Sequence, residues 1–462
     1  MWCTHCVVPG VRIPHFPQES SGMNGNEKGK VTLLLFCLSG MSTILKSSTV
    51  RNTGKLLSAN VIAQAIGILV YPILTRMYAP EDFALLNLFT SIAGVLVLAA
   101  TAEYQYAIVL PKDDKHARSL THVCLLLLLC IVTILLLTLP IARPIAALFK
   151  APDLARYWCM MPICVLAMGG WNILNYWYIR RKEFMRISGY QISQSVLSAS
   201  GKIGLGWLGW LHPGMIIASV FASAISLGIS IALAWRKHLR ELLHTDRDDM
   251  RFVAREYANF PKFNLPRALV NSVGVALPVW LLTPHFGLAE VGQLSLAMLA
   301  AYTPLSIIAR ACYQVLYQRV AEQVQQKQNI SQLLWRFSLY TAGIVVAGLA
   351  VIYFILPVLV PFIFGDRWTE SVDIIRALYP FIILTPICGS ICFLSDVFAK
   401  QKIALLMEVG YVAAIGIALW VGIYSGNFLT AVTSFAWARF AFLSIQLVWY
   451  ASLCRAYHRT LS

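Results

Sequence analysis

Hydrophobic positions along this chain come in long runs rather than in alternation. The run Cys124–Leu137, CLLLLLCIVTILLL, is interrupted by a single threonine. Crossing a bilayer core takes roughly 20 apolar residues per helix, and segments of about that length recur down the chain. Their pattern predicts helices near 55–76, 83–104, 119–139, 157–178, 188–210 and 214–235, and a second set near 267–283, 291–317, 332–356, 374–396, 403–424 and 429–452. In lipid the backbone polar groups find no outside partner, so spanning segments are helices or closed barrels. Runs without a two-residue period exclude the barrel. The expected fold class is an all-α integral membrane protein of about twelve transmembrane helices.

The polar positions within these helices are not scattered. The first carries Asn60, Gln64, Gly67 and Tyr71, and the fifth carries Gln191, Gln194, Ser195, Ser198 and Lys202, each set spaced by three or four and so on one face. Lipid rejects such stripes. They face either neighbouring helices, as interhelical hydrogen bonds, or a water-filled cavity. Ionisable groups at membrane depth are costly and ordinarily face a cavity or a partner. The deepest are cationic: Lys202 deep in the fifth helix and Arg439 near the middle of the twelfth. Arg310, in the inner half of the eighth, and Arg76, at the outer end of the first, fit snorkelling to headgroups as well as function. Glu103, Asp396 and Glu408 stand within a turn or two of helix ends, where either ion coupling or local salt bridges account for them. Glu408 or Asp396 could also be an acid partner for the deep cations. A cavity with fixed cations suits an anionic substrate, phosphate or diphosphate above all, because Arg offers a rigid donor fork and Lys a point charge.

The second half repeats the first. Leu74–Phe83 aligns without a gap on Leu282–Val291, Phe149 matches Phe364, and Pro162 matches Pro380. Six helices per half is an even number, so both halves enter the membrane in the same direction, which makes the repeat parallel. The expected organisation is an N-terminal extension over 1–41, an N-lobe over 42–236, a linker over 237–266, a C-lobe over 267–455 and a tail over 456–462. Two such lobes imply a cleft between them and alternating access by rocking.

Charge sets the orientation. Of 462 residues only 13% are charged, too few to cover a water-soluble surface. The net charge of +16 would point a soluble protein toward nucleic acid; here it follows from Lys and Arg gathered in inward loops. Those loops hold the cluster Arg180, Arg181, Lys182 and Arg186, whereas the outward segments hold Arg76, Arg143, Lys150, Arg156, Arg367 and Arg376. Both termini are therefore expected in the cytoplasm. The cysteines mostly sit singly in apolar segments as small buried hydrophobes, and Cys3–Cys6 has CxxC spacing without a second half-site. No metal and no cofactor is expected. The segment before Met41 differs in character from the rest, and translation is expected to start at Met41.

Three motifs carry a family resemblance over residues 45–455. ANVIAQAIGILVYPILTRMYAPEDFALLNL (Ala59–Leu88), EYQYAIVLPKDDKHA (Glu103–Ala117) and REYANFPKFNLP (Arg255–Pro266) resemble the Wzx-type polysaccharide transporters, the O-antigen flippases of the multidrug/oligosaccharidyl-lipid/polysaccharide exporter superfamily. The resemblance implies a V-shaped pair of lobes in the bacterial inner membrane. Such a protein flips undecaprenyl-diphosphate-linked oligosaccharide from the cytoplasmic to the periplasmic leaflet for O-antigen or exopolysaccharide assembly, alongside other polysaccharide assembly proteins. It implies cationic residues in the central cavity, in agreement with Lys202 and Arg439, and an important arginine in helix one of related flippases at the place of Arg76. A drug or cation exporter of the same superfamily is the nearest alternative, but its cavity wants deep acids. A membrane enzyme such as an O-antigen polymerase is the other; it wants a large outer loop, and the acidic pairs Asp113–Asp114 and Asp248–Asp249 lie among basic neighbours.

Overall fold

The structure, a computed structural model, describes residues 48–234, 246–326, 328–398 and 400–459. The segment before residue 48, part of the linker and the last three residues lie outside these, as do the side chains of Asn60 and Arg310. Among the described residues there are twelve helices of 20 residues or more and no strand. They are α1 (Ser48–Met77), α2 (Pro80–Thr101), α3 (Asp114–Leu137), α4 (Met161–Arg180), α5 (Phe184–Trp207), α6 (Leu211–Ala234), α7 (Leu265–Phe286), α8 (Leu288–Gln325), α9 (Ser331–Phe364), α10 (Ser371–Ile391), α11 (Gln401–Tyr424) and α12 (Phe428–Arg459). Nine are long and apolar enough to cross a membrane by length and composition. Parts of α1 and α8 lie outside the described side chains. Helix α5 falls short by composition, because a face lined by amides, serines and a lysine lowers its apolar average.

Most helix ends fall within four residues of the sequence pattern, and the exceptions have physical causes. Helix α9 runs straight through Pro357 and Pro361, which read as a stop near 356; in a bundle, neighbouring helices compensate the freed carbonyls. The segment between α3 and α4 is not plain loop but a chain of short helices, Ala142–Leu148 and Pro152–Tyr157 among them. The linker holds a helix, Arg247–Glu256. Asp246 caps it by accepting from the Asp248 amide, with Asp248 and Asp249 in its first turn and Arg255 in its last. That is the charge order a helix dipole favours. A π-helical stretch, Phe260–Asn264, then runs directly into α7.

Packing divides the helices into two groups with matching contacts. In the first, α5 packs on α1 and α6, and α4 on α2, α3 and α6; in the second, α11 packs on α7 and α12, and α10 on α8, α9 and α12. The groups meet mainly where α2 lies against α7 and α8. Helix α2 starts at Pro80 and α8 at Leu288, the same register as the aligned motif. Within that contact the Asn87 amide donates to Ser295 Oγ at 2.9 Å, and the two residues stand 208 apart, at equivalent places in the repeat. A contact between equivalent positions is what a twofold relation produces on its axis.

The end of the bundle holding the α1–α2, α7–α8 and α9–α10 turns fastens the groups together. Trp368, fully buried, donates to the Thr75 carbonyl at 2.9 Å and meets Phe83 edge-on. Trp280 donates to Ser91 Oγ at 2.9 Å. The buried apolar core is continuous across both groups at this end, whereas at the opposite end the second group has its own cluster around Tyr313, Phe393 and Tyr450. Two cores that merge at one end and separate at the other are the arms of a V.

Candidate functional site

The candidate cations take up distinct places. Lys202 lies on α5 (Phe184–Trp207), five residues before its end. Its carbonyl accepts from Tyr78 Oη at 2.6 Å, which ties this part of α5 to the end of α1. The residue as a whole is half-buried, and its ammonium has no hydrogen-bond or ion-pair partner among the described residues. Arg439 on α12 is boxed by three rings from three other helices: Phe381 at 4.6 Å, Tyr302 at 5.6 Å and Tyr411 at 5.8 Å from the guanidinium carbon. Ring faces attract a cation without neutralising it, and Nε of Arg439 is buried with no hydrogen-bond acceptor. Arg76 is exposed and donates to the Phe362 carbonyl at 2.9 Å, so it ties the end of α1 to α9 at the fastened end. Arg310 is on α8, its side chain outside the described residues.

The polar stripe of α5 is partly consumed by packing. Ser195 donates to the Ala63 carbonyl of α1 at 2.8 Å, and Gln194 donates to Ser223 of α6 at 3.4 Å. For these two the interhelical reading holds. Gln64 and Ser198 are half-buried, and Gln191 keeps a buried Oε1 with no partner.

The acids separate by environment. Glu408 on α11 lies 3.4 Å from Arg267 at the start of α7, and the nearby Asp396 feels the same guanidinium. The acid that the deep cations lacked is therefore taken by Arg267, the first residue of the seventh predicted helix, which the sequence reading did not single out. Its helical phase opposite Glu408 becomes visible only once α7 and α11 are paired. The two side chains are mostly buried, and a broken buried pair costs up to roughly 3–5 kcal/mol, while an apolar replacement of both is often neutral. Glu408→Gln is accordingly expected to lower the melting temperature in detergent, with Arg267→Met/Glu408→Leu recovering it; a double variant that melts no higher than the single one contradicts a structural pair. Glu103 is 2% exposed, and its Oε1 has no hydrogen-bond partner.

Of the basic cluster, Arg180, Arg181 and Arg186 are engaged in ion pairs. Arg180 donates to Asp114 at 2.8 and 3.1 Å and to the Ile108 and Pro111 carbonyls, and Arg186 pairs with Glu183. The acidic pairs are likewise engaged: Asp113 caps α3, and Asp249 binds Lys115 at 2.7 Å. Among the described residues no three His, Cys, Asp or Glu side chains gather as a metal site.

Comparisons with known proteins bear on the fold and the lineage. Residues 73–373 match the family of polysaccharide biosynthesis proteins. The succinoglycan biosynthesis transport protein ExoT of Rhizobium meliloti (strain 1021) is 21% identical over 344 residues, covering 73% of this chain and 66% of its own length. Among solved structures, the inward-facing conformation of a multidrug resistance MATE family transporter of the MOP superfamily superposes with a TM-score of 0.63 at 16% identity, covering 92% of this chain and 99% of its own. A MOP superfamily transporter from Pyrococcus furiosus, described for the reverse polarity of its binding pocket, superposes at 0.56 with 15% identity, covering 90% and 98%. At such identities the structures speak for the fold, and the family match speaks for the lineage. The chain belongs to the polysaccharide biosynthesis protein family and carries the fold of the MOP superfamily transporters.

Proposed function

We propose that this protein is a flippase that carries undecaprenyl-diphosphate-linked oligosaccharide, an O-antigen or exopolysaccharide repeat unit, from the cytoplasmic to the periplasmic leaflet of the bacterial inner membrane. The observation that supports this most is the pair Lys202 and Arg439. One belongs to each group of helices, and neither has a carboxylate partner among the described residues, although Arg267 does. A diphosphate offers both cations what the protein withholds. In this reading all twelve helices span, residues 42–236 and 267–455 are the lobes joined by 237–266, and 456–462 is a cytoplasmic tail after an N-terminal extension over 1–41. The fastened end faces the periplasm with both termini in the cytoplasm, as the charge bias of the loops asks. The sugar-diphosphate head enters between the lobes while the polyprenyl tail stays in lipid. Arg76 and Arg310 are proposed as secondary contacts along the path, with Gln64, Gln191 and Ser198 facing the sugars and Glu103, Asp396 and Glu408 available for ion coupling. Drug or cation export is disfavoured by the sign of the unpaired charges.

Deletion of the gene in the native host tests the cargo. The expected result is a completed lipid-linked repeat unit accumulating on the cytoplasmic side, with surface glycan lost. Normal surface glycan without an accumulating intermediate overturns the reading.

A further inference from the structure

Helix α2, which carries the main contact between the two groups, ends in an uncommon way. Ala102 and Glu103 are consecutive non-glycine residues in the left-handed region, with φ of 45° and 62°. Such residues persist only where the surroundings hold them. What is held here is the Glu103 side chain, turned inward at the mouth of the bundle. Its Oε1 is buried without a partner, and so is Oε1 of the adjoining Gln105, itself 2% exposed. Two acceptor oxygens buried together without donors are anomalous, since buried polar atoms are ordinarily satisfied. A proton on the carboxyl removes the anomaly by supplying a donor and cancelling the charge.

The surrounding ionisable groups offer no alternative. The 3-10 helix Tyr104–Val109 that follows Glu103 packs on α3, on α4 and on the Phe260–Asn264 stretch. From α3, Lys115 is engaged by Asp249, Arg118 acts on Asp114, and His122 Nδ1 lies 3.0 Å from the Arg118 carbonyl. From α4, Arg180 is occupied by Asp114 and two carbonyls, Tyr178 donates to Ser230 O, and Tyr176 meets Tyr106 edge-on. Lys262, Arg255 and Glu256 are exposed, Tyr257 meets Phe260, and Cys124 is a buried thiol beside Tyr104. Among the described residues none of these cations is an ion-pair partner of Glu103.

We infer that Glu103 is a proton-binding site, protonated in this conformation, which releases its proton when α2 shifts and the mouth of the bundle rearranges. Burial pushes the carboxyl up to about 7, and the neighbouring Gln105 side chain offsets this only in part. Its contribution to stability is therefore fully present below the ordinary carboxylate value and is lost as pH rises through about 7. The site is also placed to transmit the change. Tyr104, the next residue, donates to the Ala254 carbonyl of the linker helix at 2.8 Å, and that helix leads into α7. The inference deepens the ion-coupling part of the proposed function, but its test needs no cargo.

Infrared difference spectra of the full-length protein in nanodiscs, taken across pH 5 to 9, are expected to show a carboxylic acid band titrating near pH 7. Glu103→Gln removes it, while Asp396→Asn and Glu408→Gln leave it. Spin labels at exposed Lys182 and Lys402, one in each group, are expected to report a distance change with the same midpoint, lost in Glu103→Gln. If Glu103→Gln does not fold, Glu103→Asp serves, with the band retained at a shifted midpoint. A band or distance change that persists unaltered in the Glu103 variants, or no titrating band in the parent, overturns the inference. Failure to move a lipid-linked sugar overturns the cargo assignment instead and leaves the titration standing.

Discussion

Arg439→Ala abolishes glycan export in cells while the protein still inserts and reaches normal abundance, and Lys202→Ala does the same. Each cation stands without a carboxylate partner among the described residues, so removing it breaks no ion pair within the bundle and leaves no buried acid behind. What is lost is the anion's partner. A hydrogen bond to a charged group is worth about 1.5–3 kcal/mol, so each variant should weaken head-group binding roughly 10- to 100-fold. The two positions differ in what they tolerate. Arg439→Lys keeps the charge but cannot spread a planar cation across Phe381, Tyr302 and Tyr411, and should stay impaired. Lys202→Arg retains a point of charge in a half-buried site and should retain partial export. The measurement is surface glycan by immunoblot, normalised to membrane-inserted protein. Loss of inserted protein in both alanine variants would assign these cations to folding instead.

Gly292→Ala disables the protein by a different route. A methyl group there overlaps the Pro80 carbonyl and its carbon, which are backbone atoms at the turn between α1 and α2. No side chain can rotate away, so the two groups of helices must separate at the fastened end. Overpacking of this kind costs about 1–3 kcal/mol, here applied to the contact on which rocking turns. A melting temperature lowered by a few degrees and loss of export are expected. Gly94→Ala, on the same helix as that turn and with open space around an added methyl, should behave as the parent. Equal behaviour of the two variants would show that α2 and α8 do not meet as described.

Most of the helices were legible because the membrane imposes a length and a polarity on a span, and nine helices among the described residues meet both. The repeat was legible too, because Leu74–Phe83 and Leu282–Val291 form equivalent turns that start α2 and α8 in register. Sequence marked Lys202 and Arg439 as unusual, since charge at depth needs a reason. It did not single out Arg267, because its partner Glu408 comes from α11, far along the chain. Nor could spacing show the ring box of Arg439, which is assembled from α8, α10 and α11. The linker helix was missed although its caps are in the sequence, since charged linkers are read as loops by default.

The most direct test of the account is flipping itself. Purified protein is reconstituted into liposomes whose outer leaflet carries undecaprenyl-diphosphate-linked oligosaccharide with a fluorescent sugar, and its passage to the inner leaflet is followed by loss of accessibility to a membrane-impermeant quencher. The account predicts protein-dependent flipping that falls at least tenfold in Lys202→Ala and Arg439→Ala. Flipping no faster than in protein-free liposomes, or unchanged in both variants, would contradict it.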